Sequence, residues 1–295
     1  VRVFGVIGDP VGHSMSPAVH NAGFDATGFN GVYLPLRIPP EYEHFKATVS
    51  TWLAMPELHF RGASVTIPHK ENLLRFVREQ GGSIEPLAEQ IGAANTLTVR
   101  DDGSLFASNS DYAGALDAVC DGMGITREAL AGKRVAVIGA GGAARAIVAG
   151  FANYGATVVV YNRTTQKAEA LAEQFNGKTG KVVAARLEKL CDSCCEVFIN
   201  CTPIGMHPNV DASPIPAAAD TKGWGAGAVV FDTVYNPLET KLLRDAKAAG
   251  CTVVPGTEMF TRQAAAQFEQ WTDTEAPLDV FNEVLLTHLR AKGQA

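Results

Sequence analysis

An apolar strand that runs straight into a glycine turn and then a helix constrains this chain more than any other feature. Val135-Ala136-Val137-Ile138 is continuously apolar, the pattern of a strand covered on both faces. It leads into Gly139-Ala140-Gly141-Gly142-Ala143-Ala144, which fits the spacing G-x-G-x-x-G/A. Gly139 permits the tight turn, Gly141 lets a pyrophosphate approach the backbone, and Ala144 allows close packing of helix on sheet. The helix that follows directs its free N–H groups and the positive end of its dipole at the phosphates. A second apolar strand, Thr157–Tyr161, closes the unit. The pattern predicts a Rossmann βαβ element holding a dinucleotide, with Gly139, Ala140, Gly141, Gly142 and Ala143 as its phosphate turn.

The end of that second strand selects the dinucleotide. A site for NAD usually places Asp or Glu there to hold the ribose 2′-hydroxyl. This chain has Asn162-Arg163-Thr164 instead. Arg163 can pair with a 2′-phosphate, and Asn162 and Thr164 can donate hydrogen bonds to it, whereas a carboxylate would repel it. The expected cofactor is therefore NADP.

The 295 residues suggest two domains. Residues 1–110 interleave strands (Arg2–Gly8, Val32–Leu36, Gly62–Thr66) with helices (Ser16–Thr27, Glu41–Leu53, His69–Arg78). Asp101-Asp102-Gly103 marks a hairpin between Ala94–Arg100 and Leu105–Ala107. From Asp111 a regular βαβ alternation runs to Val254 and predicts a parallel, doubly wound sheet. Two helices, Gln263–Trp271 and Asp279–Ala291, add no strand and are expected to return to the first domain. The resulting division is α/β throughout: residues 1–110 with 256–295 as a substrate-binding catalytic domain, and 111–255 as the NADP-binding Rossmann domain.

Composition removes several classes of function. A net charge of −6 argues against a nucleic-acid partner, and no apolar run reaches the roughly 18 residues of a membrane span. The chain opens on a strand, Val1–Gly8, with no signal-peptide layout, so a cytoplasmic location is expected. Its start at Val1 leaves a trimmed Met, a targeting segment or an upstream domain equally open. Of the six cysteines, Cys191-x-x-Cys194-Cys195 invites a metal or redox reading. No second pair or His cluster completes four zinc ligands, so packed, reduced thiols and no metal are expected.

The polar clusters of the first domain read blandly one at a time. Ser16 would be an N-cap with Pro17 behind it, Lys70 a solvated charge at a helix start, and Asp111 another N-cap. Taken in order and spacing, they resemble something specific. Gly12-His13-Ser14-Met15-Ser16-Pro17, Ser64-Val65-Thr66-Ile67-Pro68-His69-Lys70, Gly92-Ala93-Ala94-Asn95-Thr96 and Asn109-Ser110-Asp111 are similar to the shikimate dehydrogenase family. The resemblance continues through Asn200–Met206, Asp232–Pro237 and Gly256–Ala264, and so spans nearly the whole chain.

It implies reversible NADPH reduction of 3-dehydroshikimate to shikimate, in the shikimate pathway of aromatic amino acid biosynthesis. Ser14 and Ser16 would bind the substrate carboxylate; Thr66, Asn95 and Gln263 the ring hydroxyls; and Tyr235 would line the same cleft. Lys70 and Asp111 would be the catalytic pair. Thr202, Pro203, Gly256 and Met259 would join the cofactor contacts. Ser110 and Tyr112 depart from the commoner Thr and Gly of the family. With Glu258-Met259-Phe260 and Gln267-Phe268-Glu269, they look more like the shikimate dehydrogenase half of bifunctional dehydroquinate dehydratase–shikimate dehydrogenases, which brings an upstream dehydratase domain into question. The rival readings are a quinate or quinate/shikimate dehydrogenase and a non-catalytic cofactor-binding regulatory module.

Overall fold

Two six-stranded sheets organise the chain. The computed structural model describes all residues except 178–179, 193–194, 216–223, 225–226 and 292–295. The described chain divides into two compact units, Val1–Ser110 with Gln263–His288, and Asp111–Arg262 with Leu289–Ala295.

The first unit contains strands β1 (Arg2–Gly8), β2 (Gly31–Arg37), β3 (Phe60–Val65), β4 (Ser83–Ile84), β5 (Thr96–Val99) and β6 (Leu105–Ser108), in the order β2-β1-β3-β5-β6-β4. Its helices are α1 (Ser16–Thr27), α2 (Tyr42–Leu53), α3 (Lys70–Glu79) and α4 (Pro86–Ile91). β1 is parallel to β2 and β3, while β5 runs antiparallel to both β3 and β6, as the hairpin at Asp101-Asp102-Gly103 requires. Apolar side chains of α2 and α3, including Phe45, Val49, Leu73, Phe76 and Val77, pack with Val65 and Leu97 of the sheet in one core.

The second unit carries α5 (Ser110–Met123, whose first residue belongs to the first unit), β7 (Arg134–Ile138), α6 (Gly142–Asn153), β8 (Thr157–Tyr161), α7 (Thr165–Phe175), β9 (Lys181–Ala185), β10 (Val197–Asn200), β11 (Val229–Asp232), α8 (Lys241–Ala248) and β12 (Thr252–Val254). All its strand pairs are parallel, in the order β12-β11-β10-β7-β8-β9. Numbered from the first strand of the unit, this is the 3-2-1-4-5-6 Rossmann order, with its reversal between β7 and β10. Both strands are buried from Val135 and Val197 onward, which explains their unbroken apolar runs.

The C-terminal helices are α9 (Gly256–Thr272) and α10 (Leu278–Ala291). Gln263–His288 of these helices belong to the first unit, whereas Gly256–Arg262 of α9 and α10 from Leu289 onward belong to the second. Trp271 Nε1 donates to Leu97 O at 3.0 Å, and Phe268 packs between Phe24 and Phe281. Several expectations are corrected. The penultimate helix starts at Gly256 and not at Gln263, and the division between units falls inside it, after Arg262. Gly256 allows this early start because a Cβ there would lie 2.7 Å from Thr233 O and 2.6 Å from Val234 O. Strand β4 and helix α4 were not foreseen, since two strand residues and six helical ones are too short for any periodicity to show. Among the described residues no helix is long and apolar enough to cross a membrane.

Candidate active site

In the first unit the parallel strands β1 and β3 end side by side, and the loops beyond them are cross-tied. Thr66 N donates to Ile7 O at 2.8 Å, and Asp9 N to Ile67 O at 3.0 Å. Antiparallel β5 begins at that same end, where Val65 N donates to Asn95 O at 2.7 Å. Ala94 N in turn donates to Lys70 O at 3.0 Å, fixing the backbone of Lys70 beside the Asn95 segment. Topology thus gathers Ser14, Ser16, Thr66, Lys70 and Asn95 at one end of one sheet, from segments as far apart as residues 14 and 95. Ser14, Ser16, Thr66 and Lys70 are half-buried, and Asn95 is buried.

The bland readings of Ser16 and Asp111 fail on geometry. Met15, not Ser16, occupies the N-cap of α1, with no side-chain cap bond. Ser16 N instead donates to Ser14 Oγ at 3.3 Å, so the two serines form one small turn. Asp111 is the second residue of α5 rather than its cap, and it is buried. Lys70 opens α3 behind a fully buried His69, whose Nε2 lies 2.9 Å from Ile38 O and whose Nδ1 lies 3.0 Å from Asn72 Nδ2. The carbonyl and the amide together make Nε2 the donor and Nδ1 the acceptor. His69 is thereby a packed brace directly ahead of the lysine. Gln263 lies half-buried in α9. Asp111 and Tyr235 belong to the second unit, where Tyr235 follows β11 with its ring centroid 5.9 Å from that of Phe260.

The second unit fits a dinucleotide at the reversal of strand order. Gly139 has φ +114°, and a Cβ on it would lie 3.1 Å from Cys201 O and from Thr202 Cγ2. Glycine is thus required by conformation and by the close approach of the segment after β10. Gly141 and Gly142 are different: a Cβ on either meets nothing within 4 Å, and Gly141, Gly142 and Ala143 are exposed. Gly141 is the N-cap of α6 and supplies no side-chain cap, so the first N–H groups face an open surface that suits a pyrophosphate. Ala144 behind them is fully buried.

After β8, Asn162 Nδ2 donates to Thr164 O at 2.9 Å and braces the turn, leaving Arg163 and Thr164 exposed with no carboxylate among the three. After β10, Thr202 donates from N and Oγ1 to Asn200 Oδ1 at 2.9 and 2.7 Å, and Pro203 is exposed. Gly256 and Met259 are both buried in α9, Gly256 against the backbone of Thr233 and Val234.

Cys120, Cys201 and Cys251 are free thiols, and burial pushes Cys120 up to about 11 and Cys201 and Cys251 upward as well. In each case burial disfavours the thiolate, which is the nucleophilic form. Cys194, part of the cysteine cluster noted in the sequence, lies outside the described residues. Among the described residues no group of three or more His, Cys, Asp or Glu side chains could hold a metal ion.

Sequence reasoning missed the polar residues behind Asn95. Gln267 on α9 is buried, with Nε2 2.9 Å from Thr96 Oγ1 and 3.2 Å from Asn95 O, and Oε1 2.6 Å from Ser64 Oγ. A signal was present: Gln267 interrupts the apolar stripe Ala264, Phe268, Trp271, and a polar residue on the buried face of a helix needs a buried partner.

A Rossmann unit with an open glycine turn, joined to an α/β unit that gathers serine, threonine, lysine and asparagine at one sheet end, defines a dinucleotide-dependent oxidoreductase. The chain belongs to the shikimate dehydrogenase family. Family models match residues 6–97 ("Shikimate dehydrogenase substrate binding domain"), 124–214 ("Shikimate / quinate 5-dehydrogenase") and 256–286 ("Shikimate 5'-dehydrogenase C-terminal domain"). The shikimate dehydrogenase (NADP(+)) of Methanosarcina mazei is 40% identical over 98% of this chain and 99% of its own length. The chloroplastic bifunctional 3-dehydroquinate dehydratase/shikimate dehydrogenase of Arabidopsis thaliana is 40% identical over 96% of this chain and 46% of its own length. A crystal structure of a shikimate dehydrogenase in complex with NADP+ superposes with a TM-score of 0.86 at 35% identity, covering 98% of this chain and 96% of that one.

Proposed function

We propose that this protein catalyses the reversible, NADPH-dependent reduction of 3-dehydroshikimate to shikimate. The observation that carries the reading is the convergence of Ser14, Ser16, Thr66, Lys70 and Asn95 at one end of the first sheet, in a chain alignable end to end with shikimate dehydrogenases. Ser14 and Ser16 donate to the substrate carboxylate, and Thr66, Asn95 and Gln263 hold the ring hydroxyls, with Tyr235 against the ring. Gly139–Ala143 hold the pyrophosphate, Asn162, Arg163 and Thr164 the 2′-phosphate, and Thr202, Pro203, Gly256 and Met259 complete the cofactor contacts.

The reduced nicotinamide cofactor, when bound, supplies the two electrons and the hydrogen that the carbonyl carbon gains. The oxygen on that carbon then carries developing negative charge. The Lys70 ammonium stabilises it and gives up the proton, and in the reverse direction the neutral amine takes the proton back. The Asp111 carboxylate holds the lysine head and the substrate hydroxyl in one geometry.

Steady-state assays with shikimate and quinate, each with NADP and NAD, test the reading. The highest kcat/KM is expected for shikimate with NADP. Dominant activity with quinate and NAD would establish the quinate reading, which the "Shikimate / quinate 5-dehydrogenase" model keeps specific. Cofactor binding without turnover of either substrate would establish the regulatory-module reading. A cytoplasmic location is proposed on the same footing. An upstream dehydratase domain, supported by the bifunctional relative, is decided by the intact mass of the native gene product: a chain that begins near Val1 removes it.

A further inference from the structure

A single backbone N–H sets the direction of every hydrogen bond in a buried chain that ends at Asn95. Ser110 N donates to Asn95 Oδ1 at 2.8 Å, which identifies that atom as the amide oxygen. Thr96 Oγ1 lies 2.8 Å from the same oxygen and must donate to it. A hydroxyl has one proton, so the Gln267 atom 2.9 Å from Thr96 Oγ1 must be a donor, and it is therefore Nε2. The 3.2 Å contact of Nε2 with the Asn95 carbonyl independently requires the same orientation. Gln267 Oε1 then faces Ser64 Oγ at 2.6 Å and accepts from it. With its proton used there, Ser64 accepts from Tyr33 OH at 2.6 Å.

The far end of this chain is anchored. Asn21 brackets the backbone of Tyr33, accepting from its N–H at 2.8 Å and donating to its carbonyl at 2.9 Å. The His20 ring stacks on the Tyr33 ring at 4.5 Å and 12°. Tyr33, Ser64, Gln267, Thr96 and Asn95 are all buried, so water does not offer competing partners.

We infer that this one-way relay, Tyr33 to Ser64 to Gln267 to Thr96 to Asn95, makes Thr96 and Gln267 positioning residues that lock the Asn95 amide with its oxygen turned inward. The consequence is a defined polarity at the substrate. Asn95 Oδ1 is filled from Ser110 N and Thr96, and Asn95 Nδ2 donates to Ser110 Oγ at 3.1 Å, so the polarity the amide presents toward a ring hydroxyl is that of a donor and not of an acceptor. The hydroxyl proton is left to point elsewhere. This rests on the shikimate dehydrogenase reading above and deepens it, because a pocket of fixed donor polarity rejects a ligand that presents no acceptor at that place.

The test compares Thr96→Val and Thr96→Ser with the wild-type enzyme, measuring kcat, KM for shikimate, KM for NADP and thermal stability. The wild-type assay stands first: its failure removes the functional reading and leaves the relay unaddressed by cause, whereas an active wild type makes the variants decisive. Thr96→Val keeps the shape of the side chain and removes the donor to Asn95. It is expected to raise the KM for shikimate about tenfold, with kcat and the KM for NADP changed less than about twofold. Thr96→Ser restores the hydroxyl and is expected to restore the KM. If Thr96→Val is too unstable to assay, Gln267→Glu replaces the donor to Thr96 with an acceptor, turns the Thr96 proton away from Asn95 and is expected to raise the same KM. An unchanged shikimate KM in folded Thr96→Val or Gln267→Glu overturns the inference, as does a parallel loss in all kinetic parameters that Thr96→Ser does not restore.

Discussion

Asn200 and Asp232 face each other across adjacent parallel strands, and Asn200 Nδ2 donates to Asp232 Oδ1 at 2.9 Å. Both are fully buried at the ends of β10 and β11. Thr240 Oγ1 donates to Asp232 Oδ2 at 2.6 Å and Val234 N to Oδ1 at 3.1 Å. The other face of Asn200 receives both donors of Thr202. One polar pair therefore fixes the segments that carry Thr202, Pro203 and Tyr235.

Burial pushes the Asp232 carboxyl up from 3.8 to about 6, against the pull of its hydrogen bonds from Thr240, Val234 N and Asn200. The folded state thus prefers the protonated acid. Its stabilising contribution is fully present below about pH 4 and is lost as pH rises through about 6, a change of roughly 3 kcal/mol. Asp232→Asn keeps an oxygen for Asn200 and Val234, and is expected to flatten this part of the stability curve in thermal unfolding from pH 4 to 8. Asp232→Ala leaves three buried donors without an acceptor and is expected to cost about 2–4 kcal/mol. A curve unaltered in Asp232→Asn would contradict the assignment.

Two glycines of the phosphate turn should separate folding from binding. Gly139→Ala places a side chain at φ +114° and against Cys201 O, and is expected to cost about 1–3 kcal/mol of stability even without cofactor. Gly141→Ala enters open space at φ −88°. Its stability should match the wild type, while NADP affinity falls at least about tenfold because a methyl group occupies the approach to the pyrophosphate. Calorimetry with and without NADP reads both effects, and equal unfolding losses in the two variants would refute the distinction.

Arg163→Ala removes the exposed cation after β8 and should weaken NADP binding by about tenfold or more while changing NAD binding less than about twofold. Dissociation constants for both dinucleotides check this. Equal losses would remove the 2′-phosphate assignment.

Lys70→Ala should lower kcat by about three orders of magnitude or more and leave NADP affinity within about twofold of wild type. Its backbone carbonyl still accepts from Ala94, so the fold around Asn95 is expected to persist. Full activity in this variant would end the proposed chemistry.

The Rossmann unit was legible because its information is local. Val135–Ile138, Gly139–Ala144 and Asn162–Thr164 are contiguous, and each residue type meets a backbone or charge requirement within a few positions of itself. Ser14, Ser16, Lys70 and Asp111 were legible only as a resemblance of order and spacing, because each had a bland local account. The structure removes those accounts for Ser16 and Asp111 by placing neither at a helix cap.

Sequence by itself thus determined the strand, glycine turn and helix of the Rossmann unit, the α/β alternation and the family. Tertiary structure alone decided that the penultimate helix begins at Gly256, that Asn200 and Asp232 meet as register partners, and that Gln267 lies behind Asn95 across 172 positions of chain. The physical reason is the reach of the interactions concerned. Turn conformation and strand apolarity act between neighbours, whereas a buried hydrogen bond needs a donor and an acceptor that only the completed packing brings within 3 Å.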